Sequence, residues 1–214
     1  MIAVIDYGAG NIQSVCKALQ YINCDVTVTR NPDEIMKADG AVLPGVGSFG
    51  DTMNTMTNFG IKDTVIEYTK TGKPFLGICL GLQLLFSESQ ESPGVKGLSL
   101  LEGSIKKIPN NGGTLKIPHI GWNNLNIKNG GGLFKGINGS PYVYFVHSFY
   151  LDANDKSIVT SQTEYGAVID ASVQKGNIYA TQFHPEKSGE TGLKMLSNFA
   201  DIVNKHRKAE NYVR

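Results

Sequence analysis

Long apolar runs are missing from this chain of 214 residues. Its apolar residues, 41% of the total, come in short stretches. None approaches the roughly 18 to 20 residues that a helix needs to cross a bilayer, and no charged-then-apolar start marks a secretory signal. The cytoplasm is the expected compartment, and no membrane is expected as a partner. An excess of one charge is missing too. A formal net charge of +1 leaves no basic stripe for a phosphate backbone, so no nucleic acid is expected either. The one basic cluster, Lys205-His206-Arg207-Lys208, reads as the solvated close of the last helix, where cations suit the negative end of the dipole. Cysteine is scarce: Cys16, Cys24 and Cys79 are an odd count without CxxC spacing. That pattern argues against a disulfide framework and against a metal site, and leaves at least one thiol free.

What is present suffices for one globular domain over residues 1–214 that needs no staples. The first half alternates short β-branched runs with helical patterns, as parallel strands joined by crossover helices do. Strands are expected over Ile2–Asp6, Asp25–Thr29, Gly40–Leu43 and Pro74–Ile78. Helices are expected over Asn11–Ile22, over Pro32–Lys37 with Asn31 as cap, over Asp51–Lys70 as one long element, and over Leu80–Ser87. The second half reads as strands over 97–108, 117–127, 142–152, 157–163, 167–174 and 177–183, with glycine turns at 112–113 and 130–132. A closing helix runs from about Ser188 to Arg207. Together these predict a mixed α/β fold with a mostly parallel central sheet flanked by helices, and antiparallel strands late in the chain.

Two short segments carry chemistry. In Gly77-Ile78-Cys79-Leu80-Gly81 a cysteine sits between glycines where a strand runs into a helix. Glycines permit a turn so tight that the side chain between them projects clear of the backbone. The helix N-terminus favours thiolate, and the Leu80 amide is positioned to hold an oxyanion. A small buried cysteine at a crowded turn would look the same, so a base is needed to decide. Gln182-Phe183-His184-Pro185-Glu186 supplies one: His184 follows a β-rich run, and Glu186 stands two positions on across a proline that fixes the backbone. A carboxylate so placed can set the tautomer and orientation of the imidazole.

These segments, with Pro44-Gly45-Val46-Gly47, resemble the class I glutamine amidotransferases. Within that family the resemblance is to the glutaminase subunits of imidazole glycerol phosphate synthases. It is carried by Ile5-Asp6-Tyr7-Gly8-Ala9-Gly10-Asn11, Pro118-His119-Ile120-Gly121-Trp122-Asn123, Tyr144-Phe145-Val146-His147-Ser148-Phe149 and Gln182 to Ser188. The resemblance implies the class I amidotransferase fold and no cofactor. It implies Cys79 as nucleophile, with His184 and Glu186 completing a triad, and an oxyanion hole from Leu80 with Val46 and Gly47, the latter strand rearranging near Val46. It further implies glutamine contacts at Gly47, Gln83, Val146, His147 and Ser148, and partner contacts at Asn11, Trp122 and Lys187. The implied partner is a separate (β/α)8 synthase subunit, forming a heterodimer with an ammonia channel. From the residues alone, His147 is a core histidine whose backbone matters more than its ring, and Trp122 could equally pack in the core.

Other readings compete. Gly45-Val46-Gly47-Ser48-Phe49-Gly50 satisfies a G-x-G-x-x-G dinucleotide fingerprint, yet the acidic residues about 20 positions on, Asp63 and Glu67, fall within a helical pattern and not at a strand end. Gly8-Ala9-Gly10 is a poorer match, with Gln13 in place of its third glycine. A stand-alone γ-glutamyl cysteine hydrolase could share the triad, as could a related subunit that feeds a sugar-amidinating synthase. A non-catalytic binding module would not need all three triad side chains.

Overall fold

The computed structural model describes residues 1–8 and 10–213; Ala9, within the Ile5–Asn11 segment, and Arg214 lie outside the described residues. The strands are β1 Ile2–Ile5, β2 Val26–Thr29, β3 Gly40–Leu43, β4 Phe75–Ile78, β5 Glu88–Ser89, β6 Gly103–Lys107, β7 His119–Asn124, β8 Asn126–Ile127, β9 Tyr142–His147, β10 Phe149–Ala153, β11 Val159–Glu164, β12 Val168–Lys175 and β13 Ile178–Thr181. The helices are α1 Ile12–Tyr21, α2 Pro32–Lys37, α3 Phe49–Asn58, α4 Ile61–Lys70, α5 Leu80–Gln83 and α6 Gly189–Val213.

The main sheet has the order β2-β1-β3-β4-β13-β12-β11-β8. Its first five strands run parallel, and β12, β11 and β8 add antiparallel edges. Parallel strands are covered on both faces, and alternate residues divide between two cores. Ile5, Leu43 and Phe75 pack with Met53, Met56, Val65 and Tyr68 of α3 and α4. Val4, Val42, Leu76 and Ile78 pack with Val15 and Leu19 of α1 and with Leu196 and Phe199 of α6. The late strand β13 departs from the expected pattern, pairing parallel with β4 in register Thr181↔Ile78. That pairing brings the ends carrying Cys79 and His184 side by side.

Several element boundaries differ from expectation. The helix expected over Asp51–Lys70 is two helices, because Gly60 adopts φ 69° between them, a left-handed conformation that glycine enters without steric cost. The helix after Cys79 stops at Gln83. The carbonyls of Leu84, Leu85 and Ser87 are claimed by the amides of Leu98, Leu100, Leu101 and Gly97 instead of by their own following turn. That segment, expected as the start of a strand, is irregular up to Gly103. The patterns over 117–127 and 142–152 each break into two strands that join different sheets: β7 pairs β9, whereas β8 joins β11 and β10 joins β6. The last helix continues past the basic cluster to Val213, and Arg207 Nη1 reaches to 3.9 Å from Asp39 Oδ2. Among the described residues no helix is long and apolar enough to cross a membrane.

Candidate active site

Cys79 is the hinge between β4 and α5, at φ 56° and ψ −108°. A non-glycine residue in the left-handed region is strained and persists only where the surroundings hold it. Here they do. The Cys79 amide donates to Thr181 O at 2.7 Å, and its carbonyl accepts from the amides of Leu82 and Gln83. The flanking glycines are required by approach distance: a Cβ on Gly77 would lie 2.6 Å from Gly81 O, and one on Gly81 would lie 2.0 Å from Leu43 O. Leu80 opens α5, so its N–H has no partner within the helix.

His184 is wholly buried, with Nδ1 2.8 Å from Glu186 Oε1. Burial works against a charged imidazole, but the Cys79 sulfur and the Glu186 carboxylate outweigh it and raise the His184 pKa to about 10. Such a value describes an imidazolium paired with anions. Among the described residues, His184 Nε2 and Glu186 Oε2 are buried with no hydrogen-bond partner, which leaves Nε2 for proton transfer. Asn11 Nδ2 donates to Glu186 Oε1. Carried over as a partner contact, Asn11 is only 9% exposed and committed to the carboxylate.

A cavity of about 290 Å³ opens on the thiol. It is lined by Val46, Gly47, Leu80, Gln83, Val146, His147 and Ser148, together with Glu91, Pro118 and Phe149, which were not among the expected site residues. Glu91 is anchored by the Phe49 amide, 2.7 Å from its Oε2, and the Gly50 amide donates to Ser92 Oγ. The N-terminus of α3, where the dinucleotide fingerprint would bring a pyrophosphate, is therefore capped by the chain itself. The Tyr7 hydroxyl donates to Pro44 O at 2.8 Å and tethers the loop after β3 that carries Val46 and Gly47.

The His147 ring is more engaged than expected. Phe149 O can only accept, so His147 Nδ1, 2.9 Å away, carries a proton. Its Nε2 must then accept from His119 Nδ1 at 3.0 Å. Burial lowers the pKa of His147 to about 3 and of His119 to about 4, so both rings are neutral. His119 is stacked between Tyr165 and Phe145. Gln83 Nε2 also donates to Phe149 O, at 2.9 Å, and to Gln182 Oε1 at 3.0 Å. Gln182 belongs to the His184 segment but was given no role there, although it stands two residues before His184, the spacing that puts side chains on one face of an extended chain.

Over residues 3–203 the sequence matches the family Glutamine amidotransferase class-I. The chain belongs to the class-I glutamine amidotransferases. It is 46% identical over 203 residues to the imidazole glycerol phosphate synthase subunit HisH of Caldanaerobacter subterraneus subsp. tengcongensis, covering 95% of this chain and 98% of that one. To the subunit of the same name from Methanothermobacter thermautotrophicus it is 48% identical, covering 95% and 99%. Among solved structures, a glutamine amidotransferase superposes with a TM-score of 0.74 at 17% identity, over 95% of this chain and 100% of that one. PurLQS from Thermotoga maritima gives 0.70 at 21% identity, over 94% and 97%. At such identities the solved structures speak for the fold alone.

One outer patch of this amidotransferase is apolar. Trp122 is 55% exposed, not packed in the core, and Ile120 and Tyr142 on β7 and β9 are exposed as well. Trp122 meets Tyr144 edge-on, and Lys187 Nζ lies over the Tyr144 ring, 5.8 Å from its centroid. Trp122 and Lys187, carried over separately as partner contacts, thus both meet Tyr144 on the two-stranded β7–β9 sheet, whose Val146 and His147 line the cavity.

Proposed function

We propose that this chain is the glutamine-hydrolysing subunit of an imidazole glycerol phosphate synthase and delivers ammonia to a separate synthase subunit in histidine biosynthesis. The observation that carries the reading is the near end-to-end match to subunits of that name, in a chain where Cys79 lines a cavity and the buried His184, paired with Glu186, feels the Cys79 sulfur.

The Cys79 thiolate attacks the side-chain carbonyl carbon of glutamine, and the carbonyl π pair moves onto oxygen. Donors for that oxyanion are the Leu80 amide and, after rearrangement near Val46, the Val46–Gly47 backbone. His184, as imidazolium held by Glu186, gives its Nε2 proton to the departing nitrogen, so the C–N bond breaks to release ammonia and leave a thioester. Water, deprotonated by the now neutral His184, attacks the thioester and frees glutamate and the thiolate. Glu91 offers a carboxylate for the substrate ammonium, and Gln83, Val146, His147 and Ser148 form the remaining wall. The Trp122–Lys187 surface is the docking face for a (β/α)8 partner, through which ammonia travels sheltered from protonation by water. A relative feeding a sugar-amidinating synthase would share the triad, and no feature of the cavity favours it.

The test is Cys79→Ala, assayed together with the partner synthase. Glutamine-dependent synthesis should be lost while synthesis from added ammonium persists. Equal loss with both nitrogen sources would show that Cys79 serves assembly and would refute the reading.

A further inference from the structure

The side chain of Gln182 is a wholly buried polar group for which the triad chemistry has no use. Its Nε2 lies 3.7 Å from Cys79 Sγ, and its Oε1 lies 3.0 Å from Gln83 Nε2. Which end of the carboxamide faces sulfur is fixed from outside. Phe149 O can only accept, so the Gln83 atom 2.9 Å from it is the NH2 group. The second hydrogen of that group points at Gln182, which must present oxygen to receive it. Its nitrogen is then the end left for sulfur, and a flip would break the bond to Gln83.

We propose that Gln182 acts on the nucleophile itself: its Nε2–H donates to Cys79 Sγ and stabilises the thiolate, with Gln83 locking the carboxamide in the donating orientation. The proposal rests on Cys79 being the nucleophile. A hydrogen bond to an anion is roughly twice as strong as one between neutral groups, so the same N–H favours S⁻ over SH. Gln182 itself is wholly buried, so its N–H has no solvent to turn to, which strengthens the bias. Leu80 acts on the oxygen that becomes charged during attack, whereas Gln182 acts on the sulfur that is charged before it. Once Sγ bonds to the substrate carbon the sulfur loses its charge and the contact weakens. Loss of Gln182 should therefore reduce the thiolate fraction near neutral pH and leave the reactivity of the fully formed thiolate in place.

The experiment measures iodoacetamide alkylation of Cys79 in the full chain against pH, read by peptide mass. Cys16 and Cys24, whose thiols burial pushes up, serve as internal references. In Gln182→Met, a donor-free side chain of similar length, alkylation at pH 7 should slow about three- to tenfold, with its pH midpoint raised by about half to one unit. The curves should converge at high pH. Gln182→Glu keeps the shape and the bond from Gln83 but, once ionised, turns only an acceptor toward sulfur. Its deficit should widen as pH rises through the carboxyl titration. A wild-type profile in either folded variant overturns the proposal. So does a Gln182→Met curve lowered by one factor at every pH, the mark of a loosened site. If wild-type Cys79 reacts no faster than Cys16 and Cys24, the assignment of the nucleophile has failed instead, and the proposal falls with it.

Discussion

Gly81→Ala adds one methyl group where the chain has no room for it. The new Cβ would lie 2.0 Å from Leu43 O and 3.1 Å from the Leu43 carbonyl carbon. Both are backbone atoms at the end of a central strand, so no rotamer change relieves the clash. Restoring ordinary contact near 3.4 Å requires β3 and the α5 turn to part by about 1.4 Å. Overpacking of this kind costs about 3 kcal/mol, the upper part of its usual range, because neither wall is a side chain. For a chain of this size the melting temperature should fall by about 6–12 °C. The functional loss should be larger in proportion. The end of β3 leads into Val46 and Gly47 and α5 begins just after Cys79, so the same displacement separates the proposed nucleophile from one side of its proposed oxyanion hole. A misplacement of about 1 Å is enough to cost about 100-fold in rate. Calorimetry and glutamate release in the presence of the synthase subunit measure the two effects. Gly130→Ala is the control, since a Cβ there meets nothing within 4 Å; it should stay within about 0.5 kcal/mol of wild type. A Gly81→Ala protein with wild-type melting and more than half of its activity would show that the close approach of Gly81 to Leu43 is not required.

Two further predictions concern pH. Burial opposes the His184 charge but Cys79 and Glu186 raise its pKa from 6.5 to about 10, above its unfolded value. The stabilisation from that charge is therefore complete below pH 6.5 and lost as pH rises through about 10. Ammonia release, which needs the imidazolium, should decline on the same limb, and Glu186→Gln should bring the decline to lower pH; an unmoved limb in the pH–rate profile would count against the pairing. His119 and His147 behave in the opposite sense. Burial holds them neutral down to about 4 and about 3, while unfolded histidine protonates near pH 6.5, so stability is lost as pH falls below 6.5. Melting temperature between pH 8 and 4 should fall less steeply in His119→Phe, which keeps the stacking on Phe145 and Tyr165; equal slopes would contradict this.

Much of the parallel half of the fold was legible because its cues are local. The apolar spacing of α1 and the Asn31 cap of α2 record the same short-range geometry in sequence and structure. Gly60 was passed over because helical spacing continues across it, and a pattern of apolar residues does not register one left-handed peptide. The truncation of α5 was invisible for a different reason: its carbonyls are taken by amides at 97–101, and periodicity says which face is buried but not which distant backbone claims a hydrogen bond. The late strands were read as single runs since Leu125 and Ser148 do not interrupt the alternation. The chain changes sheets at those two residues.

The site divides along the same line. Sequence by itself determined the groups whose relations are short: the glycines that let Cys79 turn, and the proline that sets His184 beside Glu186, because two or three residues of backbone geometry fix both. Only tertiary structure decided what those groups meet. The parallel pairing of β13 with β4 brings the strand ends carrying His184 and Cys79 together, Asn11 is drawn in to the Glu186 carboxylate, and Gln83 meets Gln182 across 99 residues of chain. Buried polar groups must find partners wherever the fold supplies them, so the hydrogen bonds that position this site follow from packing and cannot be read from spacing.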